Sequence, residues 1–200
     1  MAVRRERGRR QLQLHSRPGR ARAWCSGSVS KVVTIVQLPA EVVHALAAGD
    51  LDAAVAASPV ALTPVLIEQA GLWRRRSRQL EVDPSCAGWI TGVVRVEPDG
   101  LTVGWSGFHG PPDATGAVEV GYAIDPGHRR RGYARAALEF LLARAARERA
   151  VRRVRATISP GNVASRNLVL QYGFTEIGEQ WDDEDGLEIV FEVSAGDRPA

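Results

Sequence analysis

Cysteine is nearly absent: Cys25 and Cys86 are the only two in 200 residues. That excludes a disulfide framework, and neither stands in a metal-ligand spacing, so no metal centre is expected. No run of about 18 apolar residues occurs, which excludes a membrane-spanning helix. The N-terminus lacks the apolar stretch at the heart of a secretory signal, and a cytoplasmic protein is expected. Lysine is reduced to Lys31 and methionine to Met1, so almost all positive charge is arginine. That skew is of the kind coding bias produces.

What is there suits a soluble globular chain long enough for one core, with 44% hydrophobic and 24% charged residues. The net charge of +3 divides unevenly along it. Residues 1–30 hold eight arginines and one acid, for +7, and residues 31–200 are mildly acidic at −4. Residues 1–30 show no helical or strand periodicity and read as a disordered extension. Such a segment suits a nucleic-acid-binding arm, an Arg-rich transit peptide, an extension without function, or a misassigned start. Nucleic acid is a partner only through this segment, and a later start needs a non-standard codon, for instance at Val29 or Val32. The remaining residues, 31–196, read as one domain.

Val32–Leu38 is β-branched and predicts a strand. Pro39 opens an Ala-rich helix to Ala48, Gly49 breaks it, and residues 51–57 resume it. A further helix is expected from Thr63 to Leu80 with Pro64 in its first turn. Arg74, Arg75, Arg76 and Arg78 then fall near its end, where they complement the helix dipole, a reading preferred to a phosphate site. Trp89–Val96, Leu101–Phe108 and Ala117–Ile124 read as strands, the first two joined by the turn Glu97-Pro98-Asp99-Gly100. A long helix follows over 131–149, then a strand at Val154–Ile158 and a helix from Val163 to Tyr172. A hairpin of Phe174–Glu179 and Leu187–Val193 closes the chain. The order predicts an α/β domain with a mixed sheet.

Residues Val118 to Pro126 lead into the segment with most chemical content. Alternation places Val118, Val120, Tyr122 and Ile124 on one face and Glu119, Gly121 and Ala123 on the other. The second face is small at two positions, where a backbone or slender ligand can approach. Gly127-His128-Arg129-Arg130-Arg131-Gly132-Tyr133-Ala134 then runs into the long helix. A glycine turn at a helix N-terminus gathers N–H groups and partial positive charge, which suits a phosphate or pyrophosphate. A basic turn that only caps a structural helix is the plainer alternative.

Arg129-Arg130-Arg131-Gly132-Tyr133-Ala134 resembles the R/Q-x-x-G-x-G/A signature of the GCN5-related N-acetyltransferases (GNAT). Asn162-Val163-Ala164-Ser165 and Tyr172-Gly173-Phe174 resemble that family's second motif at the expected spacing. The N-x-x-S form looks closest to the branch that acetylates ribosomal-protein N-termini. The resemblance implies a mostly antiparallel mixed sheet flanked by helices, with the strands holding Val120–Ile124 and Val154–Ile158 splayed around the pantetheine arm of acetyl-CoA. It implies that backbone groups of Tyr122, Ala123 and Ile124 bind that arm. Backbone N–H groups of Arg129, Arg130, Arg131, Gly132, Tyr133 and Ala134 then hold the pyrophosphate, Asn162 meets the pantetheine amide, and Ser165 lies near the thioester sulfur.

Direct acyl transfer needs a neutral amine, a donor for the carbonyl oxygen and a proton for the departing thiolate. Glu119 is the candidate base, as the one carboxylate on the small-residue face; a solvent-facing charge is its alternative. Many members of the family place a tyrosine seven residues after the motif asparagine, where this chain has Val169. Ser165 is the candidate donor in its stead, or a first-turn residue satisfying backbone N–H groups. Tyr172 reads as packing. His109 is a candidate for the acceptor pocket or an alternative base, and Trp105 and Trp181 are candidates for the same pocket. The acidic tip Asp182 to Asp185 suits a cationic acceptor or a solvated turn. The expected activity moves an acetyl group to a primary amine, on a peptide N-terminus or a small molecule, by a monomer or homodimer. The rival is a non-catalytic acyl-CoA-binding module.

Overall fold

The computed structural model describes residues 32–182 and 186–196. The Arg-rich extension and three residues of the acidic tip, 183–185, lie outside them. In chain order the elements are β1 (Val33–Val36), α1 (Ala40–Ala48), α2 (Leu51–Ala57), α3 (Pro64–Ile67), α4 (Ala70–Val82), β2 (Gly92–Val96), β3 (Leu101–Phe108), β4 (Ala117–Ile124), α5 (Tyr133–Arg147), β5 (Arg153–Ile158), α6 (Val163–Leu170), β6 (Thr175–Asp182) and β7 (Gly186–Ser194). Short 3-10 turns occupy Pro84–Gly88 and Pro126–His128.

The strands form one seven-stranded sheet in the order β1-β2-β3-β4-β5-β7-β6. Every pairing is antiparallel except β4 with β5. That parallel pairing covers only Ala117 to Glu119 against Arg153 to Arg155. Beyond it β4 stays on β3 through Ile124, while β5 follows β7 through Ile158. The sheet therefore opens between β4 and β5, as the expected fold requires.

Helices cover both faces. Val93 and Val94 are adjacent on β2 and point to opposite sides. Val93 packs with Leu46, Leu66, Trp73 and Leu80 from α1, α3 and α4. Val94 packs with Tyr133, Ala136 and Ala137 of α5. The α5 side continues through Val118, Val120, Leu138, Leu141 and Val154 into the main apolar core. Burying a Leu or Val side chain contributes about 1.5 to 3 kcal/mol, so this two-sided burial fixes which face of β4 looks toward α4.

Three expectations change here. The single helix over Thr63–Leu80 is two: α3 ends after one turn and α4 begins at Ala70. Trp73, fully buried, turns back so that Nε1 donates to the Leu66 carbonyl at 2.5 Å, bracing the break. Consequently Arg74, Arg75, Arg76 and Arg78 sit in the middle of α4, whose last turn holds no base, and the dipole account of them fails. The strand expected from Trp89 starts at Gly92 instead, because Asp83 caps the preceding 3-10 turn through Ser85 N and Trp89 ends it. The Trp89 ring packs on Phe108 at 5.6 Å and lies under the Arg144 guanidinium.

Candidate active site

The opening of the sheet leads into a cavity of about 700 Å3. Trp105, His109, Glu119, Tyr122, Asn162 and Ser165 line it together with Arg75, Arg76, Arg78 and Gln79 of α4. Gln180, Asp182 and Glu188 of the last hairpin complete one wall.

Glu119 stands at the last paired position of β4, where the strands begin to part. Its Oε1 accepts from Thr157 Oγ1 at 2.5 Å and lies 3.1 Å from His109 Nδ1. Its Oε2 has no donor among the described residues and is not sealed from solvent, so it is presented to the cavity. Burial pushes the carboxyl up, but the His109 hydrogen bond and charge, Thr157 and the charge of Arg155 outweigh it, and the net shift is downward. Glu119 is therefore a carboxylate at neutral pH.

His109 is held at both ends. Its N–H donates to the Glu119 carbonyl at 2.8 Å. Its carbonyl accepts from Gln79 Nε2 at 2.7 Å and Arg76 Nη1 at 3.2 Å. The imidazole lies over Gly121, where a Cβ would come 2.8 Å from His109 Nε2 and 3.3 Å from Trp105 Cζ3. The small residue expected to admit a ligand thus admits these two rings.

Across the opening, Asn162 caps α6, its Oδ1 accepting from Ser165 N at 3.1 Å. Capping thus falls to Asn162 rather than to the Ser165 side chain, which lines the cavity. The Tyr122 hydroxyl is buried without a hydrogen-bond partner among the described residues. Burial raises its pKa, and the Ser165 hydroxyl beside it lowers it in part without closing a hydrogen bond. Val169 is fully buried in the main core and cannot reach the cavity. Tyr172 is turned to α5, donating to Glu139 and accepting from Arg135 Nη1 at 3.1 Å; burial and Glu139 push it up to about 12.

The glycine turn lies outside the cavity lining, as do Ala123 and Ile124. Gly132 has φ of 88° and Arg130 φ of 59°, left-handed conformations that curl the chain just before α5. The N–H groups of Arg130, Arg131, Gly132, Tyr133 and Ala134 find no acceptor among the described residues. Several unpartnered N–H groups at the start of a 15-residue helix are an arrangement suited to an anion. Arg129 folds back, its Nε donating to the Ile124 carbonyl at 2.9 Å, while Arg130 and Arg131 are exposed. The Tyr133 side chain is buried in the core, leaving only its N–H to this turn. Trp181 is 74% exposed and does not line the cavity, although its neighbours Gln180 and Asp182 do.

Sequence reasoning missed Thr157 and the Arg76–Gln79 clamp. A signal for the clamp existed: Arg76 lies four residues after Leu72 and four before Leu80, a polar residue inside an apolar helical stripe. Thr157 carried none without the register of β5 against β4.

A profile of the acetyltransferase (GNAT) domain matches residues 41–175. The chain belongs to that family. Over 87 residues it is 36% identical to YjdG of Bacillus subtilis, an uncharacterised N-acetyltransferase. That stretch is 44% of this chain and 52% of the relative, so the chain spans about half that protein's length. Over 141 residues it is 30% identical to the L-2,4-diaminobutyric acid acetyltransferase of Streptomyces coelicolor, covering 66% of this chain and 80% of that one. Among solved structures, Mycobacterium smegmatis RimJ in complex with CoA-disulfide superposes with a TM-score of 0.58 at 19% identity, over 86% of each chain, which shows a shared fold.

Proposed function

We propose that the protein transfers an acetyl group from acetyl-CoA directly to a primary amine, with Glu119 and His109 receiving the amine's proton. The observation that carries this reading is the pairing of Glu119 Oε1 with His109 Nδ1 at 3.1 Å, with Oε2 turned to the cavity at the opening of the sheet. The glycine turn supports the cofactor half: its N–H groups suit the pyrophosphate of acetyl-CoA, and the edge of β4 that β5 leaves bare beyond Glu119, at Tyr122, suits pantetheine.

An alkylammonium must lose a proton before it attacks. The ionised Glu119 attracts the ammonium, and His109, 3.1 Å from that carboxylate, offers a ring nitrogen for the proton transfer. The neutral amine forms the N–C bond at the thioester carbonyl; as the C–S bond breaks, the Ser165 hydroxyl gives its proton to the thiolate and takes the remaining proton of the nitrogen, so the serine is restored. Tyr122, behind Ser165 with an unpartnered hydroxyl, backs that donor. This pair takes the place of the tyrosine that Val169 replaces. The acceptor is a small amine rather than a protein N-terminus: a relative covering two thirds of the chain is named for a diamino acid.

The test is thiol release from acetyl-CoA with an amine panel, comparing the wild type with Glu119→Gln. Amine-dependent release that falls at least about 100-fold in the variant supports the reading. Equal turnover in the two removes Glu119 from the mechanism.

A further inference from the structure

The cavity wall holds a cation that the transfer chemistry leaves unused. Arg76 on α4 is 4% exposed. Its Nε donates to Thr91 Oγ1 at 3.0 Å, and its Nη1 to Gln79 Oε1 at 2.9 Å and to the His109 carbonyl at 3.2 Å. All three acceptors are neutral, and no carboxylate among the described residues forms an ion pair with it. A buried guanidinium without an anion is costly to keep. Its burial and the charge of Arg75 lower its pKa to about 10, which still leaves it charged at neutral pH.

One of its nitrogens has no such engagement. Nη2 donates to nothing among the described residues, yet it is not among the sealed unpartnered atoms. Since Arg76 lines the cavity, that nitrogen opens onto it. Arg75 and Arg78 line the same wall from more exposed positions. The cation is also close to the carboxylate: Arg76 Nη1 bonds the His109 carbonyl, and His109 Nδ1 lies 3.1 Å from Glu119 Oε1. One cavity thus offers a cation donor and an anion acceptor separated by a single residue.

We infer that the acceptor is a zwitterionic small molecule, an amine that also bears a carboxylate, with the carboxylate held by Arg76 Nη2 and the reacting amine facing Glu119 Oε2. Nη2 can give a carboxylate oxygen a charge-assisted hydrogen bond, stronger than one between neutral groups. Arg78, at the more exposed part of the wall, adds attraction for the incoming anion. This inference rests on the transfer reading above and adds to it the chemistry of the acceptor.

The experiment measures kcat/KM for thiol release from acetyl-CoA with matched pairs: L-2,4-diaminobutyrate against 1,3-diaminopropane, L-ornithine against putrescine, and L-lysine against cadaverine. In each pair the second compound lacks only the carboxylate. The expected result is a preference of about 10- to 100-fold for the amino acid in at least one pair, the size of a charged hydrogen bond lost. Arg76→Met brings that ratio to near one. Loosening His109 slows both members of a pair alike and cancels in the ratio. Arg76→Lys keeps the buried charge if the Met variant does not fold, and cuts the ratio severalfold. Equal turnover of both members in every pair, or a ratio unchanged in both variants, overturns the inference while leaving acetyl transfer intact. No release with any amine overturns the transfer reading, and the inference falls with it.

Discussion

At the scale of single residues, the site depends on how one carboxylate is held. Two donors converge on Glu119 Oε1, and the downward shift of its pKa means that the fold favours its ionised form. Its contribution to stability is present above the ordinary carboxylate range and is lost as pH falls through the lowered folded value. Glu119→Gln should therefore unfold at a lower temperature than the wild type at pH 7, and the gap should close at the acid end of a pH series of melting curves. Ser165 and Tyr122 give a second residue-scale prediction. Ser165→Ala and Tyr122→Phe should each lower kcat by about 10- to 1000-fold with little change in the KM for acetyl-CoA. If Tyr122 acts through Ser165 as proposed, steady-state kinetics of the double variant should show no further loss than the worse single. Additive losses would separate their roles.

At the scale of elements, β4 is where sequence and structure agree most closely. Alternation from Val118 to Ile124 fixed which side chains enter the core and which face α4, and period-2 patterning is a direct consequence of the pleat. What occupies the small-residue face was not legible, because His109 and Trp105 arrive there from β3 through the β3–β4 register. Gly121→Ala should leave thermal stability nearly unchanged, since its backbone is ordinary strand, yet displace the His109 ring and cut turnover by about 10-fold or more. The α4 arginines were misread for a related reason. Periodicity alone joined α3 to α4, and the break depends on Trp73 reaching Leu66, a contact that no local propensity encodes. The β3–β4 connection supplies another test. Asp113 Oδ1 accepts from Thr115 N and Oγ1 at 2.7 Å and from Ala117 N at 3.0 Å. These bonds lower its pKa to about 2. Asp113→Asn should lower the melting temperature at pH 7, and the difference should vanish as pH falls toward 2, where the wild-type carboxyl also becomes neutral.

At the scale of the whole molecule, the sheet is continuous in order but divided in pairing, and that division creates the site. The order of elements and the pairing of a glycine turn with a later Asn-x-x-Ser helix were legible, because both motifs are local and sit at element ends. The cavity wall was not, because α4, β3 and the last hairpin reach it from three separate parts of the chain. Among the described residues no helix is long and apolar enough to cross a membrane. The glycine turn and the Glu119–His109 pair stand on opposite ends of β4, so the central claim is that one molecule spanning both delivers its acyl group at the cavity. The most direct test is to measure acetyl-CoA binding by calorimetry and amine-dependent thiol release on the same protein, for the wild type and Glu119→Gln. The account predicts that both proteins bind acetyl-CoA with similar affinity and that only the wild type releases thiol efficiently, by a margin of about 100-fold or more. Tight binding with no amine-dependent release from the wild type would contradict it.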